Sequence, residues 1–162
     1  MAVRSSVPQR TDDDGFTLIE LAVVILIIGI LLAVAIPTFL GVRKSAQNKA
    51  AQSSVRSALT NAKAIASEDG AYTTLMIAAL QAAQPELRVA PEPSTKPTQV
   101  SVEVNDTSGE IVLVSRAQTG ECYWLHDNLS DDGGAASLQY GKSSGAAACV
   151  ANQGPPVWKS AW

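Results

Sequence analysis

The feature that most constrains this chain is an uncharged run from Leu21 to Val42, close to its N-terminus. A helix of about 20 apolar residues crosses the hydrocarbon core of a bilayer, which is roughly 30 Å thick. The run is long enough to do so. We therefore expect a membrane-spanning or otherwise apolar-packed helix, with separate polar regions before and after it.

A carboxylate, Glu20, stands immediately before this run. An acidic side chain costs roughly 2.5–3.5 kcal/mol at the centre of a membrane helix, and less near its end. The sequence has no Lys, Arg or His between Thr11 and Val42 that could neutralise it. The partner must come from another chain or from a new amine. Cleavage after Gly15 would create such an amine on Phe16, four positions before Glu20.

The sequence GFTLIE at residues 15–20 resembles the processing motif of the type IV prepilins and pseudopilins. In that family a prepilin peptidase cuts after the glycine and methylates the new N-terminus. The resemblance implies a leader of residues 1–15, cleavage between Gly15 and Phe16, and N-methylation of Phe16. It also implies that Glu20 pairs with the N-terminal amine of a neighbouring subunit during assembly. The resemblance is specific over the first third of the chain and general over the rest.

Two other interpretations of this segment remain. It is either a plain signal-anchor helix whose Glu20 lies at the membrane interface, or a secretory signal peptide cut after residues 33–35 (Ala-Val-Ala). A signal peptide has a positively charged region before its apolar core, whereas here Asp12, Asp13 and Asp14 precede it. These acids also depart from the basic leaders that are common among prepilins.

The basic residues on either side of the run give a conflicting indication of orientation. Cytoplasmic flanks are enriched in Lys and Arg. Two bases precede the run and four follow it: Arg4 and Arg10, then Arg43, Lys44, Lys49 and Arg56. Counting alone would place the C-terminal region in the cytoplasm. The prepilin resemblance requires the opposite, and we adopt it because the paired cysteines suit an exterior domain.

Composition limits the remaining possibilities. The chain has 162 residues and a net charge of −3, which gives no general attraction to nucleic acid. A role in DNA uptake is the one exception that the resemblance allows. Cys122 and Cys149 are the two cysteines, and behind an export segment they indicate one disulfide in an oxidising compartment.

Periodicity predicts the rest of the long helix. Residues 16–42 form its membrane or filament-core half, with a kink at Pro37, which removes a backbone hydrogen bond. Apolar residues then recur at helical spacing on one face of residues 43–70, and Gly70 is placed to cap the helix. Residues 71–97 form a connecting region with a short helix and several prolines.

Residues 98–162 change to a strand period. Val100, Val102 and Val104 alternate with polar residues, and similar patterns follow at 111–115 and 121–127. A short strand is expected at 136–140. The fold class is therefore α+β, a long N-terminal helix packed on a small antiparallel sheet as in pilins. A disulfide between Cys122 and Cys149 would bound the C-terminal region and stabilise it by roughly 3–4 kcal/mol.

No pattern indicates catalysis, a cofactor or a metal. His126 is the single histidine, and we interpret it as a surface or packing residue. Asp127, Asp131 and Asp132 lack the alternating ligands of an EF-hand loop and indicate a turn instead. The bases that follow the apolar run indicate a solvated or inter-subunit face rather than a phosphate site.

We therefore expect a non-enzymatic structural subunit that polymerises with itself through its N-terminal helices. The resemblance implies three partners: a prepilin peptidase, a membrane assembly platform and its ATPase. It implies a single-pass precursor in the cytoplasmic membrane with the leader in the cytoplasm, and an extracellular filament after assembly. The alternatives are a pseudopilin of a type II secretion or competence system, and a secreted or membrane-anchored binding domain without a polymer.

Overall fold

A computed structural model describes residues 15–129, 138–145, 147–155 and 157–162. Two helices are followed by a sheet, which confirms the α+β fold. The elements in chain order are α1 (Leu18–Asp69), α2 (Met76–Ala83), β1 (Arg88–Ala90), β2 (Gln99–Asn105), β3 (Glu110–Arg116), β4 (Cys122–Asn128), β5 (Gln139–Ser143), a short 3-10 helix (Ala151–Gln153) and β6 (Trp158–Lys159). The predicted leader, except for Gly15, and the predicted turn at Asp131 and Asp132 lie outside the described residues.

The chain forms two compact units, Met1–Leu40 and Gly41–Trp162. In the first unit the apolar side chains of α1 are exposed all round, as expected of a helix that needs lipid or sister helices to cover it. By length and composition α1 qualifies as a candidate membrane span. Pro37 lies inside the helix, and a kink there remains a prediction.

In the second unit one face of α1 packs on the sheet. Its buried residues recur at helical spacing and are mostly small: Ala51, Val55, Ala58, Leu59, Ala62 and Ala66. Small side chains let the helix backbone approach the strands closely. Gly70 ends the helix with a positive φ of 79°, and its amide donates to the carbonyl of Ala66 at 2.7 Å. The predicted helical face and cap are both confirmed.

The sheet has the strand order β1-β2-β3-β4-β5-β6. Its strands pair antiparallel except β1 and β2, which are parallel. Val102 faces Leu113 across β2 and β3, and Leu113 faces Leu125 across β3 and β4. These side chains form the inner face, which makes one core with α1 and with Tyr72 and Leu80 of the α2 region.

The C-terminal tail covers the outer face of the sheet. Cys122 at the start of β4 is joined by a disulfide to Cys149, with Cα atoms 5.8 Å apart. Trp124, Val114 and Ala151 pack around this bridge. The tail therefore shields a second apolar layer that the sequence pattern alone did not predict.

Three strands differ from the sequence interpretation, and one of them is β6 (Trp158–Lys159), in a tail where no strand was expected. The proline-rich connector contains β1, whose Val89 is buried; three residues before Pro91 and Pro93 are too few to show an alternation. The strand expected at residues 136–140 is instead β5 (Gln139–Ser143). Its glycine and polar composition gives no apolar period, so its position is fixed by pairing with β4 and β6.

Candidate assembly site at the start of the long helix

Thr17 and Glu20 form a reciprocal hydrogen-bonded cap at the start of α1. The Thr17 amide and hydroxyl both donate to Oε2 of Glu20, at 2.9 and 2.8 Å. In return the Glu20 amide donates to the Thr17 hydroxyl oxygen at 3.2 Å. The Thr17 carbonyl accepts the first helical hydrogen bond, from Leu21 at 3.2 Å. This arrangement is a capping box, in which a Thr and a Glu three residues later satisfy each other's backbone amides.

The cap gives Glu20 an intrachain partner that we did not predict. The charge pattern predicts only a partner from another chain or a new amine, whereas Thr17 of the same chain already donates to this carboxylate. The spacing Thr-x-x-Glu ahead of an apolar run is itself a recognisable capping signal, and it could have revealed the cap. The helix dipole adds to the effect, because a negative charge is favourable in the first turn of a helix.

Apolar side chains surround this polar cap. Phe16 and Leu18 are about nine-tenths exposed, at 90% and 89%. Ile19 and Leu21 are also exposed in the same turn. The start of α1 therefore presents a fixed carboxylate on an otherwise apolar surface, an arrangement that can accept a cation from another chain while the apolar side chains pack. Among the described residues no group of three His, Cys, Asp or Glu side chains could hold a metal ion.

A second polar network lies inside the folded unit. The carboxylate of Asp127 is 1% exposed on the inner face of β4, where its Oδ1 lies 2.8 Å from Lys63 Nζ. Its Oδ2 accepts a hydrogen bond from the Tyr72 hydroxyl at 2.6 Å. Burial, and then the hydrogen bond and charge of Asp127, raise the pKa of Tyr72 far above its ordinary value. Asp127 thus belongs to β4 rather than to the turn expected at Asp127, Asp131 and Asp132, and no sequence pattern pairs it with Lys63.

A third network joins β4 to β5. The Tyr123 hydroxyl donates to Oε2 of Glu121 at 2.5 Å, and Lys142 Nζ lies 3.0 Å from Oε1. Burial opposes ionisation of Glu121, but the hydrogen bonds from Tyr123 and Lys142 outweigh it and lower the pKa of this carboxyl.

The other residues selected from the sequence occupy separate places. His126 lies on the outer face of β4, with its ring 5.5 Å from that of Trp158 and Nε2 3.7 Å from Glu110. Gly15 and Phe16 precede the first turn of α1. Arg43, Lys44, Lys49 and Arg56 all lie on α1 within the second unit.

One comparison with known proteins concerns this same N-terminal segment. Residues 10–36 match the family model described as the prokaryotic N-terminal methylation motif. Over 52 residues the chain is 52% identical to the type IV narrow pilus major component PilA5 of Thermus thermophilus. That alignment covers 32% of this chain and 44% of the relative, so the chain spans less than half the length of the protein that it matches. No solved structure matches the chain.

The fold and the site together define a pilin-like protein: an exposed apolar helix that begins at a capped glutamate and continues into an α+β domain. More particularly, its N-terminal segment carries the prokaryotic N-terminal methylation motif, and part of the chain is similar to a pilus subunit. The predicted resemblance to the pilin and prepilin motif is thus confirmed for this segment.

Proposed function

We propose that this chain is a structural subunit of a type IV pilus-like filament, cut by a prepilin peptidase between Gly15 and Phe16. The observation that carries the proposal is the capped Glu20 at the start of an apolar helix whose side chains have no partner in the described monomer. After cleavage the exposed helix surfaces of many copies cover one another, and the helix core of the filament is formed.

Glu20 has two tasks in this mechanism. In the precursor its carboxylate accepts hydrogen bonds from the Thr17 amide and hydroxyl at the start of its own helix. In the filament it also faces the charged amine of Phe16 on a neighbouring copy. An unpaired charge among packed apolar helices is costly, so helices out of register are disfavoured. The cap holds the carboxylate in one position, which reduces the ordering needed when the neighbour arrives.

The direct test is the N-terminus of the mature protein. Mass spectrometry of membrane and sheared surface fractions should find a chain that begins with N-methylated Phe16. A chain that begins at Ile36 would identify a secreted domain released by signal peptidase. An uncut Met1 or Ala2 start would identify a plain membrane anchor, and either result would refute the filament proposal.

A second test separates processing from assembly. Glu20→Ala should be produced and cleaved but should give few sheared filaments, because the amine of the neighbour loses its counter-charge. Glu20→Asp is the matched control that retains the charge with a shorter reach. Normal filament yield from Glu20→Ala would refute the pairing of Glu20 with Phe16.

A pseudopilin of a type II secretion or competence system is the second candidate, because pseudopilins share the same processing motif and helix. The amount of the protein in each cell fraction distinguishes the two candidates. A major pilus subunit should dominate the sheared surface fraction, whereas a pseudopilin should remain with the membranes. In either case the assembly platform, its ATPase and the peptidase are the expected partners, and the precursor lies in the cytoplasmic membrane.

A further inference from the structure

The basic and acidic side chains of the second unit lie in separate places. The proposed packing of apolar helices does not involve them. Every charged residue of α1 from Leu21 to Ser67 is basic: Arg43, Lys44, Lys49, Arg56 and Lys63. Lys63 is already paired with Asp127. The others lie on the first part of the helix in this unit, which we call the basic segment (residues 43–56). Surfaces of one sign repel each other, so this segment packs more favourably against an acidic surface than against its own copy.

The basic segment presents a defined arrangement of cations. Lys49 and Arg56 are seven residues apart and so lie on one face of the helix, about 10 Å from each other. Polar side chains separate them and line an open groove with them: Gln52, Ser53, Ser57 and Thr60. The Arg56 guanidinium lies 4.9 Å from the centre of the Trp162 ring, a cation–π contact that restrains it.

A complementary acidic surface lies on the β2–β3 hairpin, which we call the acidic hairpin (residues 103–110). Glu103 and Glu110 are on the outer face of neighbouring strands, offset by two residues in register, a separation of about 7–8 Å. Asp106 is in the turn between them and is held in place by two hydrogen bonds from Thr74, at 2.8 and 3.0 Å. No Lys or Arg occurs between residues 97 and 115.

These two surfaces lie at opposite ends of the same folded unit. At one end the side chains of Gln47 and Asn48 hydrogen-bond to Gln118 and Thr119 in the β3–β4 turn. At the other end Asp106 contacts Thr74, shortly after the end of α1. The helix between Lys49 and Ala66 is about 25 Å long. The basic segment and the acidic hairpin therefore cannot meet within one molecule.

We propose that the basic segment of one copy docks on the acidic hairpin of a second copy, with Lys49 and Arg56 facing Glu103 and Glu110. A contact between two different surfaces at opposite ends of one subunit is heterologous and repeats from copy to copy, which generates an open polymer rather than a closed dimer. The inference rests on the proposed filament function and adds a second contact to it, between folded domains rather than between apolar helices.

Charge reversal tests the contact in the full-length protein in cells. Lys49→Glu and Glu103→Lys should each reduce the yield of sheared filaments roughly fivefold or more, because each places like charges across the interface. The double variant Lys49→Glu/Glu103→Lys should recover most of the yield. Lys96→Glu and Glu86→Lys are matched controls, since they make the same charge changes at exposed positions outside both surfaces. No loss in the single variants, or no recovery in the double variant, would overturn the contact.

Cross-linking gives an independent measurement. Ser53→Cys combined with Thr107→Cys should give a ladder of disulfide-linked oligomers that disappears on reduction. Ser53→Cys combined with Thr95→Cys should give none, because Thr95 lies beside Gln99 at the far end of β2. If membranes without surface filaments give a ladder, the proposed pilus function is refuted, and the contact between the basic segment and the acidic hairpin is supported. If surface filaments form but give neither a ladder nor recovery in the double variant, the contact is refuted, and the pilus function is supported.

Discussion

The buried pair of Tyr72 and Asp127 provides the sharpest test of what holds α1 and its following loop on the sheet. Tyr72→Phe removes one hydroxyl from a fully buried ring and leaves the apolar packing intact. The lost hydrogen bond is 2.6 Å long and its acceptor is a carboxylate that is 1% exposed. Hydrogen bonds to charged groups contribute about 1.5–3 kcal/mol. Because Asp127 keeps Lys63 as a partner, we expect a loss of about 2 kcal/mol in the free energy of unfolding.

The assay is denaturant unfolding of the full-length chain in detergent micelles, followed by tryptophan fluorescence. All three tryptophans belong to the second unit, so the signal reports that unit. A loss of about 2 kcal/mol corresponds to a decrease in Tm of roughly 6–12 °C for a unit of this size. Tyr140→Phe is the matched control on a half-buried tyrosine, and its effect should stay within about 0.5 kcal/mol.

A double-mutant cycle shows whether the loss arises from the hydrogen bond. In an Asp127→Ala background the Tyr72 hydroxyl is buried without its acceptor, so Tyr72→Phe should become neutral or stabilising. The same loss in both backgrounds would refute the reasoning. The pH dependence is a second check, because burial and then Asp127 raise the pKa of Tyr72. A raised folded pKa means that the stability is present below the ordinary tyrosine pKa of about 10 and is lost as the pH rises above it.

Three further predictions concern other parts of the chain. Thr17→Ala should remove the capping hydroxyl, weaken the start of α1 by about 1 kcal/mol and lower the filament yield. Thr17→Ser keeps the hydroxyl and should not lower the yield, so equal yields from both variants would contradict a role for the cap. Glu121→Gln should cost under about 1 kcal/mol at neutral pH, measured by denaturant unfolding. Because the folded pKa of Glu121 is lowered, that difference should shrink as the pH falls below about 4, and a constant difference would exclude the ionised carboxylate as its source. Gly141→Ala should lower Tm by several degrees, since its new Cβ would overlap the ring of Pro155; an unchanged Tm would show that the tail moves aside at little cost.

The candidate site could be read from the sequence because its signals are local. A glutamate immediately before an uncharged run has few physical explanations. The GFTLIE motif at residues 15–20 favours one of them, the processing site of a prepilin. The family match at residues 10–36 lies on the same segment. The capping box is equally local, as Thr17 and Glu20 are three residues apart, but a count of charged partners does not detect a neutral hydroxyl and an amide.

The core of the sheet was also predictable, because alternation with a period of two assigns Val100, Val102 and Leu113 to one face whatever their distant partners. An alternation with a period of two does not predict β1 or β5. A three-residue strand shows no period, and the composition of Gln139–Ser143 has little apolar content. Such strands exist because a neighbouring edge offers backbone hydrogen bonds, which no local pattern records.

The sequence by itself therefore determined the apolar helix, the processing motif, the helical face of α1 and the fold class, since each depends on residues close together in the chain. Only the tertiary structure decided that Lys63, Tyr72 and Asp127 form one network and that basic and acidic surfaces lie at opposite ends of one unit. Lys63 and Tyr72 are tens of residues away from Asp127 in the sequence, and the two charged surfaces are similarly far apart along the chain. Burial and distance set their energies, and both are properties of the packed chain rather than of any segment within it.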